Sequence, residues 1–489
     1  MSASTERKNR AAAKAAGTDK KTNAALEAEQ KARKTKRKWI IGTIAVVLCI
    51  ALILLLSSPL MYRITTAETV GSRNYSPAEV QYVKASAKSS LLGYGYDNIV
   101  SYFGQESADQ LLASTVESNL IRNTVLLDYA KEQGISLSAK EKEAIDESLK
   151  TQIGYMKDGA KANGVSYRTY TSYVLGAGVN ESVMRSGMQD GILANKAYMS
   201  KFCELSFSPE ELAAYYEDPV DGDLFSYTSF LVKTEEGADP AEAKTAAEAL
   251  VMGFTDLNDG EADPQELFND LLAEDFPDQS ATPHEKVTGA DLDETLRPWL
   301  SDEARQAGDI TAIEADDGSG WNVILFQERS DNSDTVAAVR HILIMAEADE
   351  NGNYTDEAKA AAKAKAEEIL AAFQAGSQTE AEFASLATVY SADSGSSSNG
   401  GLYSSVTPGQ TVEEFDRFCF EPHQYGDTAI VYGESDAYAG YHVMFYVGTA
   451  SARDAAARDA LRETAMSDWL SSLTEGVEPV QRWAYKLVG

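Results

Sequence analysis

The longest apolar run in the chain lies near its N-terminus, from Trp39 to Leu60 (WIIGTIAVVLCIALILLLSSPL), and holds no charged residue. At about 1.5 Å per residue such a run reaches across a hydrocarbon core of about 30 Å, so it predicts a membrane-spanning helix over 39–61. The basic stretch KARKTKRK precedes it and Arg63 stands alone just after it. That asymmetry predicts a cytoplasmic tail and an extracytoplasmic remainder. The run exceeds a signal-peptide core and no A-x-A-like site follows, which favours an uncleaved anchor. Residues 1–38 show no sustained apolar face and read as a basic disordered tail, and 62–77 read as a linker. From 78 to 222 the apolar positions recur with helical period, as in SADQLLASTVESNLIRNTVLLDYAKEQG and SLSAKEKEAIDESLKTQIGYMK, predicting an all-α domain. The final segment, 451–489, reads as helical again, with apolar residues at Leu461, Met466, Trp469, Leu470 and Leu473, and is expected to complete that domain.

Between these helical parts the pattern repeats. The stretch 223–331 opens with the short apolar strand SFLV, continues through the helical AEAKTAAEALVMGF and ELFNDLLAEDF, and closes with GWNVILF. The stretch 336–450 opens with HILI, continues through AKAAAKAKAEEILAAF and EAEFASLATVYSADS, and closes with GYHVMFY. Two copies of one α+β module follow, each a small mixed sheet with helices packed on it.

Charge changes the picture of partners. The net charge is −33, and it is segregated: the first 38 residues hold twelve basic and four acidic side chains, leaving 31 basic and 72 acidic for the rest. So acidic a body repels phosphate backbones, which sets nucleic acid aside. Three cysteines and four histidines include no pair or cluster with metal-ligand spacing, so no metal and no cofactor is expected. A hydrolase is disfavoured by the lack of a nucleophile elbow, an HExxH or a recognisable Ser-His-Asp set.

The second copy resembles a parvulin-type peptidyl-prolyl cis/trans isomerase domain over about its whole length, on four motifs in order: VRHILI, YSADSGSSSNGG, PGQTVEEF and GYHVMFY. The resemblance implies His341 and His442 as the paired strand histidines of the site, with Asp393 beside them as the third catalytic candidate. It implies Gln410, Thr411, Phe415, Phe420, Leu402 and Tyr403 as the substrate-binding set. Thr411 stands where many members have Met, Leu402 and Tyr403 replace part of a GGDLGW run, and Ala437 stands where a Thr often supplies a hydroxyl, a role Ser435 could take over. The first copy has Ser229 and Asn322 at the histidine positions and is expected to be degenerate. His284 and His423 fall in polar text and are expected at the surface.

Domain order adds a second resemblance, to membrane-anchored extracytoplasmic foldases of the PrsA, SurA and PpiD kind. It implies a single-pass protein with a helical chaperone domain and two parvulin-like modules, the first degenerate. Its implied partners are unfolded or partly folded exported polypeptides with Xaa-Pro bonds. An inactive holdase of the same architecture is the alternative, and a structural envelope protein using the modules as spacers is a third reading.

Overall fold

A computed structural model describes residues 3–16, 20–56, 58–93, 96–234, 239–350, 352–435 and 438–488, and within these the side chains of all but 20–24, 51–56, 92–93 and 96–97. Helices Ala3–Ala15 and Lys20–Leu56 occupy the segment expected to be disordered. Ala, Lys, Arg, Glu and Gln, which dominate it, are strong helix formers even without an apolar face. Among the described residues no helix is long and apolar enough to cross a membrane. The span expected over 39–61 runs through positions 51–57, whose side chains lie outside the described residues.

The chain divides into two compact units. The first comprises Met1–Thr124, Leu149–Gly187 and Val477–Gly489. Its core gathers Ala67, Val70, Tyr75, Val80, Leu112, Val116, Leu120 and Val488. The stretch 62–77, expected as a linker, carries strands Glu68–Val70 and Arg73–Tyr75, and the former pairs antiparallel with Pro479–Gln481. The unit is therefore not all-α. Three-residue strands are too short to show alternation, and a partner some four hundred positions away leaves no local signal.

The second unit comprises Val125–Ser148 and Met188–Gly476. Its first sheet contains β1 (Leu224–Lys233), β2 (Thr282–Thr288), β3 (Ile310–Glu314) and β4 (Gly320–Ser330), in the order β2-β1-β4-β3. Its second sheet contains β5 (Thr335–Met345), β6 (Leu402–Val406), β7 (Thr428–Glu434) and β8 (Ala439–Ser451), in the order β6-β5-β8-β7. The two sheets share one topology and one register. Leu231 lies opposite Asn322 as Leu343 lies opposite His442, and Ser229 lies opposite Ile324 as His341 lies opposite Met444.

Every neighbouring pair in both sheets runs antiparallel, which corrects the mixed sheet expected from the strand-helix alternation. Two helices in series follow each opening strand and bring the chain back to the end it left, so the next strand runs the opposite way. In the second module these are Asp356–Ala375 and Glu380–Tyr390, started by Thr355 and Thr379, whose side chains accept from the backbone N–H groups of Ala358 and Glu382. Both pack on one sheet face around Ile342, Phe373, Phe383, Val443 and Phe445. The opposite face carries Val339, Met444 and Tyr446 and is closed by the short helix Glu413–Phe420 through Phe415, Phe418 and Cys419.

The helix Ala452–Thr474 belongs to this second unit, so of the C-terminal segment only Val477–Gly489 completes the first. Within the second unit Glu141, 1 % exposed, takes both hydrogen bonds of the Lys196 ammonium at 2.8 Å and accepts from the Ser385 hydroxyl. That buried ion pair ties the Val125–Ser148 segment to the helix beneath the second sheet.

Candidate functional site

The two central strands of the second sheet set the site. Successive residues of a strand point to opposite faces, so His341 and Leu343 share one face of β5, and His442, opposite Leu343, shares it on β8. The two imidazoles thus meet along a diagonal, with Nδ1 facing Nδ1 at 3.0 Å and ring centroids 5.2 Å apart. Both are enclosed, at 2 % and 4 % exposure.

Asp393 approaches from the loop that follows the Glu380–Tyr390 helix. Its Oδ2 lies 2.9 Å from His341 Nε2 and accepts from the Ser396 hydroxyl, while Oδ1 accepts from the Gly395 N–H at 3.0 Å. The hydrogen bond with His341, then those from Ser396 and Gly395, hold this carboxyl far below the usual carboxylate range against the opposing effect of burial. It is an anion at neutral pH, hence acceptor-only, and so His341 Nε2 carries a proton. Burial, followed by the proximity of His341, pushes His442 down to about 3, so this ring is neutral at pH 7.

An aromatic wall surrounds the histidines. Phe415 meets both rings edge-on at 5.3 Å, and Tyr403 meets His341 at 5.0 Å while its hydroxyl donates to Asp393 Oδ2 at 3.3 Å. Phe420, Tyr403 and Val431 are half-buried against the same apolar cluster and form its rim. Thr411 is half-buried, its hydroxyl oxygen enclosed with no hydrogen-bond partner among the described residues.

Two of the sequence-predicted binding residues are placed elsewhere. Gln410 is exposed, and its side-chain oxygen accepts from the Thr407 N–H at 2.9 Å, closing the turn before the wall. Leu402 lies opposite Arg340 in the β5–β6 pairing, and pleating therefore directs it to the sheet face away from His341. Ala437 lies outside the described residues.

Three groups escaped the sequence reading. The Ser396 hydroxyl lies 3.1 Å from His341 Nε2, and three residues after Asp393 it is within reach of the same ring. The hydroxyl facing His442 Nε2 belongs to Tyr438, at 2.9 Å, rather than to Ser435. Tyr438 precedes His442 by four residues, just before β8 begins, where no periodicity announces its direction. Arg340, wholly buried, stands directly before His341 and so faces the other side of the sheet. The two remaining histidines are not free surface groups. His284 lies on β2, 2.8 Å from the Ser229 hydroxyl and stacked on Tyr227, and His423 packs on Phe418 with Nδ1 3.5 Å from Asp427. Polar neighbours in sequence hid the aromatic partners that cover them.

Residues 323–444 match the family described as the PPIC-type PPIASE domain, beginning within β4 and ending within β8. Chaperone SurA of Alkalilimnicola ehrlichii is 26 % identical over 295 residues, which cover 58 % of this chain and 64 % of that protein. The match thus spans a little under two thirds of the length of that relative. Among solved structures, PrsA of Bacillus subtilis aligns over 79 % of this chain and 88 % of its own, at 13 % identity and a TM-score of 0.20. PrsA of Streptococcus pneumoniae aligns over 80 % and 91 %, at 12 % identity and a TM-score of 0.17.

Proposed function

From the parvulin-type domain that residues 323–444 constitute, we propose that this chain is a peptidyl-prolyl cis/trans isomerase and folding chaperone for exported polypeptides. The observation that carries the proposal is the enclosed His341–His442 pair with the Asp393 anion beside it and the Phe415–Tyr403 wall around it.

Rotation about an Xaa-Pro bond is slow because the amide must give up its resonance, at a barrier of about 18–20 kcal/mol. No covalent step is required, only an environment that favours the twisted amide over the planar one. The rim of Tyr403, Phe420 and Val431 receives the proline ring and excludes water from it. The planar amide carries more negative charge on its oxygen than the twisted one, so an anion held beside that oxygen raises the ground state relative to the transition state. Asp393, with a fifth of its side chain exposed, is the group so placed. The enclosed histidines supply a rigid, water-poor floor of fixed dipoles.

The first module, with Ser229 and Asn322 at the histidine positions, serves binding or spacing rather than catalysis. The uncharged run 39–60 with its basic flank supports a single-pass anchor, N-terminus in the cytoplasm, that holds the ectodomain at the outer face of the cytoplasmic membrane. Unfolded or partly folded exported chains are then the partners, and the helical parts hold them while prolines are sampled. One observation favours an inactive holdase as the second reading: the enclosed Thr411 hydroxyl makes the proline slot less apolar than a Met would.

Exchange of cis and trans forms in short Xaa-Pro peptides, followed by NMR with residues 64–489, separates the two readings. Acceleration that falls in a folded Asp393→Ala variant supports the isomerase. A folded protein that leaves exchange at its uncatalysed rate, yet keeps a model client from aggregating, is the holdase.

A further inference from the structure

Among the described residues Arg340 is the largest fully buried side chain, and the isomerase chemistry does not use it. It lies on β5 immediately before His341 and therefore projects to the rear of the sheet. Its Nε donates to Glu380 Oε1 at 2.8 Å, and its Nη1 donates to the carbonyls of Asn399 at 2.8 Å and Gly400 at 3.0 Å. Nη2 reaches Cys203 Sγ at 3.5 Å, and the Phe202 ring lies 5.7 Å from the guanidinium carbon. The other Glu380 oxygen accepts from Tyr425. Cys203 and Phe202 end the helix Glu181–Glu204, outside the 323–444 domain, so the domain does not by itself enclose its own buried cation.

The carbonyls that Arg340 holds belong to the loop that builds the front of the site. Gly400 and Gly401 both have φ in the left-handed region, at 74° and 72°. A Cβ at Gly400 would fall 2.5 Å from the Ala384 Cβ and 2.9 Å from Arg340 Nη1, and one at Gly401 would fall 2.1 Å from the His341 carbonyl. The Gly401 carbonyl accepts from the His341 N–H at 2.8 Å, and the Gly401 N–H donates to the Ser396 carbonyl at 2.8 Å. Ser396 and Asp393, at the start of the same loop, are the groups that hold His341 Nε2. A rigid path therefore runs from the guanidinium through the loop to the imidazole one residue along the strand.

We propose that Arg340 is a positioning residue for isomerisation: from the rear of the sheet it fixes the 393–401 loop so that Asp393 and Ser396 stay bonded to His341. This rests on the isomerase reading of the site. A guanidinium is needed because only its planar fork serves a carboxylate and two carbonyls at once, which an ammonium on a longer stem does not reproduce. Loss of the fork leaves Glu380 its counter-charge but frees the loop.

The test is a double-mutant cycle in residues 64–489, comparing the wild type with Arg340→Lys, Asp393→Asn and the pair, by peptide exchange and by the ¹⁵N shifts of the histidine rings. Arg340→Lys is expected to lower turnover between about ten- and a hundredfold, as loss of sub-ångström positioning does, with peptide affinity nearly unchanged. In the Asp393→Asn background the same substitution is expected to cost little more, because Arg340 acts through Asp393. The His341 ring signals of Arg340→Lys should move toward those of Asp393→Asn. Wild-type turnover per folded molecule in Arg340→Lys, fully additive losses, or unmoved ring signals would overturn the proposal. Should Arg340→Lys not fold, Gly400→Ala disturbs the same contact from the loop side and is held to the same outcomes. A wild type without turnover defeats the isomerase reading alone, since the ring signals still decide whether Arg340 sets the loop.

Discussion

The Nδ1 atoms of His341 and His442 face each other at 3.0 Å, so one ring donates and the other accepts. Asp393 requires a proton on His341 Nε2. A single proton on His341, at Nε2, leaves its Nδ1 to accept from His442 Nδ1–H, and His442 Nε2 then accepts from the Tyr438 hydroxyl at 2.9 Å. One directed chain, Tyr438 to His442 to His341 to Asp393, satisfies every nitrogen.

Tyr438→Phe removes the first donor of that chain and keeps the ring. Turnover is expected to fall several-fold, in keeping with one neutral hydrogen bond at about 1 kcal/mol. The ¹⁵N shift of His442 Nε2 should move while the fold, by circular dichroism, does not. An unchanged Nε2 signal would show that the hydroxyl does not set this tautomer.

Asp393→Ala removes a charge-assisted acceptor worth about 1.5–3 kcal/mol, so a loss of roughly tenfold or more in exchange rate is expected. The loop should persist, because Arg340 and the Gly401–His341 backbone bond hold it independently. A variant with wild-type turnover would remove Asp393 from the site.

Acid destabilises this module in a defined window. His442 titrates near 3 in the folded protein, chiefly because it is buried, and near 6.5 when unfolded, so between these values the unfolded chain binds the extra proton. Stability from this ring is complete above about pH 6.5 and is lost as pH falls toward 3, with a slope of about 1.4 kcal/mol per pH unit. Asp393, also depressed, adds a loss of the same sign below its unfolded value near 3.8. Urea midpoints at pH 7, 5.5 and 4 should show a shallower slope in His442→Asn than in the wild type. Equal slopes would mean that His442 does not carry the acid sensitivity.

Thr411→Val keeps shape and deletes an enclosed hydroxyl that has no partner among the described residues. An unpaired buried polar group costs about 1–3 kcal/mol, so the variant should be more stable by about 1 kcal/mol. A lower urea midpoint would show that the hydroxyl is bonded in solution.

Glu141→Ala leaves the Lys196 ammonium without its buried carboxylate. Breaking such a pair from one side costs about 3–5 kcal/mol. Thermal unfolding should therefore begin markedly lower, while turnover per folded molecule stays unchanged. Loss of turnover in folded Glu141→Ala would mean that this helix junction reaches the site.

What the sequence by itself determined is the local order: the apolar runs of β5 and β8, the helices between them, and the loop residues that bring Asp393 close to His341. Alternation along a strand is a property of neighbouring residues, so the shared face of His341 and His442 follows once the strands pair. Alternation also directs Leu402 away from that face, because which strand pairs with it is a matter of register. The tertiary structure alone decided that Tyr438 meets His442, that Gln410 closes its own turn, and that Cys203 covers Arg340 across 137 positions of chain. It likewise decided that Glu68–Val70 pairs with the far end of the chain. Such contacts come from packing between distant segments, whose energies depend on which surfaces meet, and no periodicity in either segment records its partner.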